Sequence, residues 1–128
     1  MFAYQRDRRY FAQMAEGLEE LGAAELMRLG ALEIRPSFRG LHFQADPAAL
    51  YRINYQSRLA SRVLAPLAVF PCYDTDHLYR KARELPWREV MGVDHTLAVF
   101  ANLSNSRIRH SQYAALCLKD AIVDSFRQ

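Results

Sequence analysis

Residues 32–57 read L-E-I-R-P-S-F-R-G-L-H-F-Q-A-D-P-A-A-L-Y-R-I-N-Y-Q-S, and this stretch decides the fold. Leu32 to Ser37 and Leu41 to Gln44 are short runs of strand type, and Arg39-Gly40 between them is a turn signal. Asp46-Pro47 then starts a helix. An aspartate at the cap accepts a first-turn N–H, and proline at the first helical position gives up an N–H that has no partner there anyway. The helix is expected to run to about Ser57.

Upstream, Tyr10 to Ala15 is apolar enough for a strand. Gly17 opens a helix, G-L-E-E-L-G-A-A-E-L-M-R-L-G-A, in which Leu18, Leu21, Gly22, Leu26 and Leu29 share one face and Gly30 fits a C-cap. Glu25 falls inside that stripe. A carboxylate there needs a partner, so it is expected to reach a backbone N–H or an arginine at the edge of the core. Downstream, S-R-L-A-S-R-V-L-A-P-L-A-V-F enters a strand in which Val63, Leu67 and Val69 alternate, and Pro66 marks an edge or a bulge. The order β-α-β-β-α-β predicts an α+β, ferredoxin-like unit over residues 10–71, with both helices on one face of an antiparallel sheet. Residues 1–9, rich in arginine, read as a loose basic arm.

Residues 72–128 are organised differently. After the linker P-C-Y-D-T-D comes a helix with Leu78, Tyr79, Ala82 and Leu85 on one side, stopped by Pro86. P-W-R-E-V-M reads as a further helical turn or two. Thr96 to Leu103 alternates as a strand, S-N-S-R-I-R-H is a polar loop, and a last helix buries Ala114, Cys117, Leu118, Ala121, Ile122 and Phe126. This α-α-β-α half holds one strand with nothing to pair with, and an open edge invites another chain. Self-association through 96–103 is therefore one reading of the protein, as a scaffold for protein contact.

Composition narrows the function. With 128 residues, 51% hydrophobic, the chain can bury one or two small cores. No apolar run approaches a membrane span and no signal peptide is visible, so a cytoplasmic protein is expected, with Cys72 and Cys117 as reduced, buried thiols. Of 17 basic residues 15 are arginine, and the net charge is +3. Arginine offers a planar fork for phosphate and a flat face for stacking on bases, although codon usage in a GC-rich genome gives the same excess.

The sequence supports no self-contained active site. Phosphate-loop, dinucleotide, nucleophile-elbow and zinc patterns are missing, and no metal or cofactor is expected within the segment. Cys72 and His77 have no third group to activate them. Glu19/Glu20 and Asp120/Asp124 read as solvated helix charges. Three basic clusters fit a nucleic-acid surface better. Arg58 and Arg62, if helical, lie at i and i+4 and call for an anion between them, either a phosphate or an internal carboxylate such as Glu25. Arg80, Lys81, Arg83 and Arg88 spread round a helix as a solvated face. Asn102, Ser104, Asn105, Arg107, Arg109, His110, Ser111 and Gln112 fill the approach to the last helix. The free N–H groups of its first turn, with two arginines beside them, suit a phosphate. Lys119, two turns on from Gln112, extends that face, and Tyr113 is placed either to stack on a base or to enter the core. The candidate RNA contacts are thus Arg58, Arg62, Asn105, Arg107, Arg109, His110, Ser111, Gln112 and Lys119.

The motifs G-L-E-E-L…E-L…L-G-A, G-L-H-F, S-R-L-A-S-R-V-L-A-P-L and I-R-H-S-Q-Y-A-A-L-C-L-K-D-A-I-V-D-S-F resemble the N-terminal region of bacterial large-subunit ribosomal RNA guanine-N2 methyltransferases. The resemblance runs from Tyr10 to the last residue. It implies a ferredoxin-like domain followed by a THUMP domain, an RNA-binding module attached to RNA-modifying enzymes. It further implies an S-adenosylmethionine-dependent methyltransferase domain with an N-P-P-Y type motif, which this sequence does not contain, and additional THUMP strands after the last helix. The chain is accordingly expected to be the N-terminal part of a longer protein, with its THUMP domain incomplete and ribosomal RNA as partner. His110 stands where the family tends to carry a polar amide. A THUMP module serving transfer RNA modification remains the nearest alternative.

Overall fold

The computed structural model describes residues 1–104 and 106–127. The chain divides into two compact units, Met1–Val69 and Phe70–Gln128.

In the first unit the elements are helix α1 (Ala3–Asp7), strand β1 (Arg9–Gln13), helix α2 (Glu19–Arg28), strands β2 (Leu32–Ser37) and β3 (Gly40–Gln44), helix α3 (Pro47–Gln56) and strand β4 (Arg62–Leu64). The strands form one antiparallel sheet in the order β2-β3-β1-β4. This is the ferredoxin-like arrangement expected from the β-α-β-β-α-β order. Burial follows the two-residue period of the strands. Tyr10, Ala12, Leu41 and Phe43 point into the core with Leu26, Ala49 and Ile53 from the helices, while Arg9, Gln13 and His42 lie on the opposite, exposed face.

Local chemistry sets the boundaries. The Asp46 side chain accepts the Ala49 N–H at 2.8 Å, so α3 begins where the sequence placed it. Gly30 follows α2 at φ +105°, a left-handed conformation that glycine adopts without strain. Gly22 lets Met14 approach α2, since a Cβ there would lie 2.1 Å from the Met14 sulfur. Leu21, counted in the apolar stripe of α2, is instead exposed, and Gly22, Glu25 and Leu26 form the buried face.

Two expectations in this unit need correction. Residues 1–9 are not a loose arm. Phe2 is fully buried, and the Ala3 and Tyr4 N–H groups donate to Leu67 O and Pro66 O, each at 2.9 Å. The arginines mask an anchor of two aromatic residues, Phe2 and Tyr4, whose rings stack 6.3 Å apart. The final strand is also shorter than Val63–Val69. It ends at Leu64, because the carbonyls of Pro66 and Leu67 serve α1 and Pro66 has no N–H to give a ladder.

The second unit packs helix α4 (Thr75–Arg83) against helix α5 (Ser111–Ser125), with a 3₁₀ turn at Trp87–Glu89 between them in sequence. Asp74 caps α4 through the His77 N–H at 2.8 Å. Trp87 is buried and its indole N–H donates to Ala82 O at 2.7 Å, which ties the 3₁₀ turn to the end of α4. Ala114, Ala121 and Ile122 are buried on α5, while Cys117, Leu118 and Phe126 are half-buried. Both cysteines are free thiols and half-buried, not buried as expected.

Residues 96–103 form no strand. Their side chains do alternate, with Leu97, Val99, Ala101 and Leu103 half-buried and Ala98, Phe100 and Asn102 exposed, but no described segment pairs with them. The alternation was legible; a ladder needs a second strand, and this unit supplies none among the described residues.

Candidate nucleic-acid interface

The approach to α5 keeps its donors open. His110 is the cap residue in extended conformation, and neither it nor any other described side chain bonds the first-turn N–H groups. Ser111, Gln112 and Tyr113 are exposed there. Arg107 and Arg109 precede them, both exposed, and Arg107 places its guanidinium 6.0 Å from the centre of the Tyr73 ring. That contact ties the loop to the segment leading into α4. Asn105 lies outside the described residues. Gln112 and Lys119 line one groove with Leu97, Val99, Ala115 and Leu116, so the helical spacing that put them on one face holds. Tyr113 is 55% exposed, which takes it out of the core and leaves its ring accessible.

Arg58 and Arg62 do not stand in the i, i+4 relation that a helix would give them. They are not on a helix. Arg58 sits in the turn after α3 and Arg62 opens β4 opposite Gln13, both exposed. Glu25 does reach this segment, but it binds backbone and hydroxyl rather than guanidinium. Its carboxylate accepts Ser57 Oγ at 2.5 Å, the Arg58 N–H at 3.1 Å and the Leu59 N–H at 3.4 Å. Burial pushes this carboxyl up; the bonds from Ser57, Arg58 and Leu59, with the charge of Arg28, outweigh it and hold the group below its ordinary value. Both guanidinium groups are therefore left for solvent or a ligand. Among the described residues Arg58, Arg62, Arg109 and Lys119 form no ion pair.

The other clusters resolve plainly. Arg80, Lys81 and Arg83 are exposed on α4, whereas Arg88 is anchored: it donates to Ser125 O at 3.4 Å and lies 5.5 Å over the Phe126 ring. Asp124 is not a solvated charge, because it accepts the Tyr79 hydroxyl across the two helices. The hydrogen bond to Asp124, with burial behind it, raises the Tyr79 phenol above its ordinary value. Cys72 and His77 make no couple. The thiol donates to Asp74 O, and the His77 ring packs against Tyr73 and Phe70. No group of three metal-ligating side chains converges among the described residues. No described helix is long and apolar enough to cross a membrane.

Two family models divide the chain between them. The RlmL ferredoxin-like domain matches residues 9–64, and the THUMP domain matches residues 72–128. The chain thus carries a ferredoxin-like domain of the RlmL type followed by a THUMP domain. It is 48% identical over 120 residues to the ribosomal RNA large subunit methyltransferase K/L of Syntrophotalea carbinolica, covering 94% of this chain and 17% of that protein. It is 42% identical over 120 residues to the putative RNA methyltransferase slr0064 of Synechocystis, covering 94% of this chain and 31% of the relative. The chain thus spans less than a third of either relative. Among solved structures, a predicted N6-adenine-specific DNA methylase from Listeria monocytogenes superposes with a TM-score of 0.82 at 28% identity, over 91% of this chain and 30% of that one. SMU.472, a putative methyltransferase complexed with SAH, gives a TM-score of 0.83 at 21% identity, over 93% and 32% respectively, and so shares the fold.

The polar and basic run around Arg107–Gln112 is readable in the sequence because the start of α5 is a local event. The outer face of the ferredoxin-like sheet is not readable in that way. Its residues come from four strands, and only the register brings them together.

Proposed function

We propose that this chain is the RNA-holding part of a large-subunit ribosomal RNA methyltransferase. The THUMP match over 72–128 carries the reading, together with the methyltransferase names of the relatives. The uncapped start of α5 supports it, since its N–H groups, the exposed Arg107 and Arg109, and Lys119 further along suit phosphate oxygens. Ser111, Gln112 and His110 add small polar donors for sugar and phosphate, and Arg58 and Arg62 form a second basic patch on the ferredoxin-like unit. Phosphate contacts of this kind fix register without reading sequence. The module would hold a ribosomal RNA hairpin while a methyltransferase domain elsewhere in a longer protein extrudes and methylates a guanine. S-adenosylmethionine belongs to that domain on this reading, a view helped by the SAH complex of SMU.472. Acting on ribosomal RNA, the protein would work in the cytoplasm.

The test is a salt-titrated binding assay of the chain against a ribosomal RNA hairpin, with duplex DNA of equal charge as control. The control matters because one structural neighbour bears a DNA methylase name. RNA should bind tighter than DNA, with a steep salt slope, and Arg109→Glu should weaken binding and flatten that slope. Equal binding of both nucleic acids, or an Arg109→Glu variant with unchanged affinity and slope, overturns the assignment.

A further inference from the structure

The outer face of the ferredoxin-like sheet carries an aromatic pair ringed by arginines, and neither the core nor the THUMP loop uses it. Phe11 on β1 and His42 on β3 are direct cross-strand partners on the two central strands. Their rings lie 4.8 Å apart, tilted by 55°. Gly40 makes the arrangement possible. The Phe11 ring lies across it, and a Cβ at position 40 would come within 2.3 Å of the ring edge and 2.5 Å of Ala12 O. The ring therefore lies down on the sheet instead of standing out from it. Outward along the same row, Arg35 on β2 is opposite His42, and Leu64 on β4 is opposite Phe11. Arg62 faces Gln13 in the next row, and Arg9 faces Gln44 on the other side. Arg9, Arg35, Arg62 and His42 are exposed, and Phe11 is half-exposed.

Charge on this face is one-sided. The four strands contain a single acid, Glu33, which sits at φ +50° in the irregular stretch between Leu32 and Arg35. Arg9, Arg35 and Arg62 form no ion pair among the described residues. A self-associating face or an acidic-peptide groove needs no aromatic pair at its centre. A single-stranded nucleic acid needs both features, because its bases stack on rings while its phosphates run past cations. Four-stranded antiparallel sheets that read single-stranded RNA do so with aromatic side chains on the two central strands.

We propose that this sheet face is a stacking platform for unpaired RNA bases, one on Phe11 and a neighbour on His42, with Arg9, Arg35 and Arg62 tracking the phosphates. The inference rests on the reading of the chain as RNA-binding and adds to it a second site with a different substrate: single strand here, hairpin at the THUMP loop. Arg62 then belongs to the sheet platform, apart from Arg58.

The experiment compares one ribosomal RNA hairpin, blunt, with the same hairpin bearing a single-stranded extension of about six nucleotides, on the whole chain. The extended RNA should bind more tightly. His42→Ala, whose side chain is exposed, and Phe11→Leu, which keeps an apolar cover on Gly40, should each remove about five- to a hundredfold of affinity for the extended RNA, the range for losing one stacked base. Both should leave the blunt hairpin unchanged, and Phe11→Tyr should retain binding. Equal affinity for the two RNAs, or variants that weaken both alike, overturns the platform. If Arg109→Glu lowers binding of both RNAs while the sheet variants lower neither, the platform falls and the THUMP reading stands. If the chain binds neither RNA, both fall. A concentration-dependent dimer that His42→Ala dissolves would assign the face to a second copy of the chain and also overturn the proposal.

Discussion

Ser57 Oγ donates to Glu25 Oε1 at 2.5 Å, joining the middle of α2 to the turn after α3. The same carboxylate takes the backbone N–H groups of Arg58 and Leu59, so one buried charge organises a three-residue turn. Glu25→Ala strands those N–H groups and should cost about 2 kcal/mol of stability, the scale for charge-assisted bonds lost in a buried site. The fall in urea midpoint, with the slope unchanged, measures it.

The same group makes the stability depend on acid. Its folded value lies below its unfolded one, so its contribution is complete above the unfolded carboxylate range and is lost as pH falls through the folded value. Chemical denaturation of the parent and Glu25→Ala at a series of pH values should give curves that converge on the acid side. A constant gap down to low pH would show that Glu25 acts through packing alone.

Tyr79 and Asp124 give the opposite sign in the second unit. The phenol's folded value is raised, so its contribution is complete below the unfolded phenol range and disappears as pH rises through the folded value. Tyr79→Phe should lower the unfolding midpoint at neutral pH, and the difference should vanish in alkali. Tyrosinate absorbance of the folded parent should show one phenol ionising later than the rest.

Gly40→Ala should destabilise the sheet by about 1–3 kcal/mol, the usual cost of forcing an atom into a packed site. The Phe11 ring could yield, but the Ala12 carbonyl, 2.5 Å from the added Cβ, is backbone and cannot. Thermal unfolding of the variant checks this, and an unchanged midpoint would mean that β1 and β3 can separate locally at little cost.

Arg58→Ala separates structure from ligand. Because Glu25 binds the Arg58 backbone and not its guanidinium, stability should stay within about 0.5 kcal/mol of the parent. If Arg58 meets a phosphate, the slope of RNA affinity against salt should drop by about 1. Denaturation and salt titration on one preparation give both numbers.

Elements whose causes are local were open to sequence reading. Asp46-Pro47 and Gly30 announce a cap and a stop from their own chemistry, and α3 begins and α2 ends where those residues say. Glu25 in an apolar stripe announced a buried partner, although not which one. What failed depended on distant partners. The nine N-terminal residues look like an arm because four of them are charged, yet Phe2 is buried and the Ala3 and Tyr4 N–H groups are held by carbonyls more than sixty residues away. The four-residue spacing of Arg58 and Arg62 leaves a helix open, but the carboxylate of Glu25 holds a turn there instead. Thr96–Leu103 has the alternation of a strand, but no second strand among the described residues pairs with it. At the candidate site, the loop before α5 was visible as a run of polar and basic residues. The pairing of Phe11 with His42 was not, because it exists only once β1 and β3 are in register.

The contact of Ala3 and Tyr4 with Leu67 and Pro66 brings the first residues of the ferredoxin-like unit beside its last ones. Its entrance and exit share one point on the surface, as in a bead threaded through a single hole. A unit of this shape can be spliced into a host sequence without stretching the flanking chain, and it can be cut at an exposed turn and rejoined across the clasp with every strand keeping its neighbours. For engineering, that makes it a portable cassette: the sheet face could be carried into another protein through one short pair of linkers.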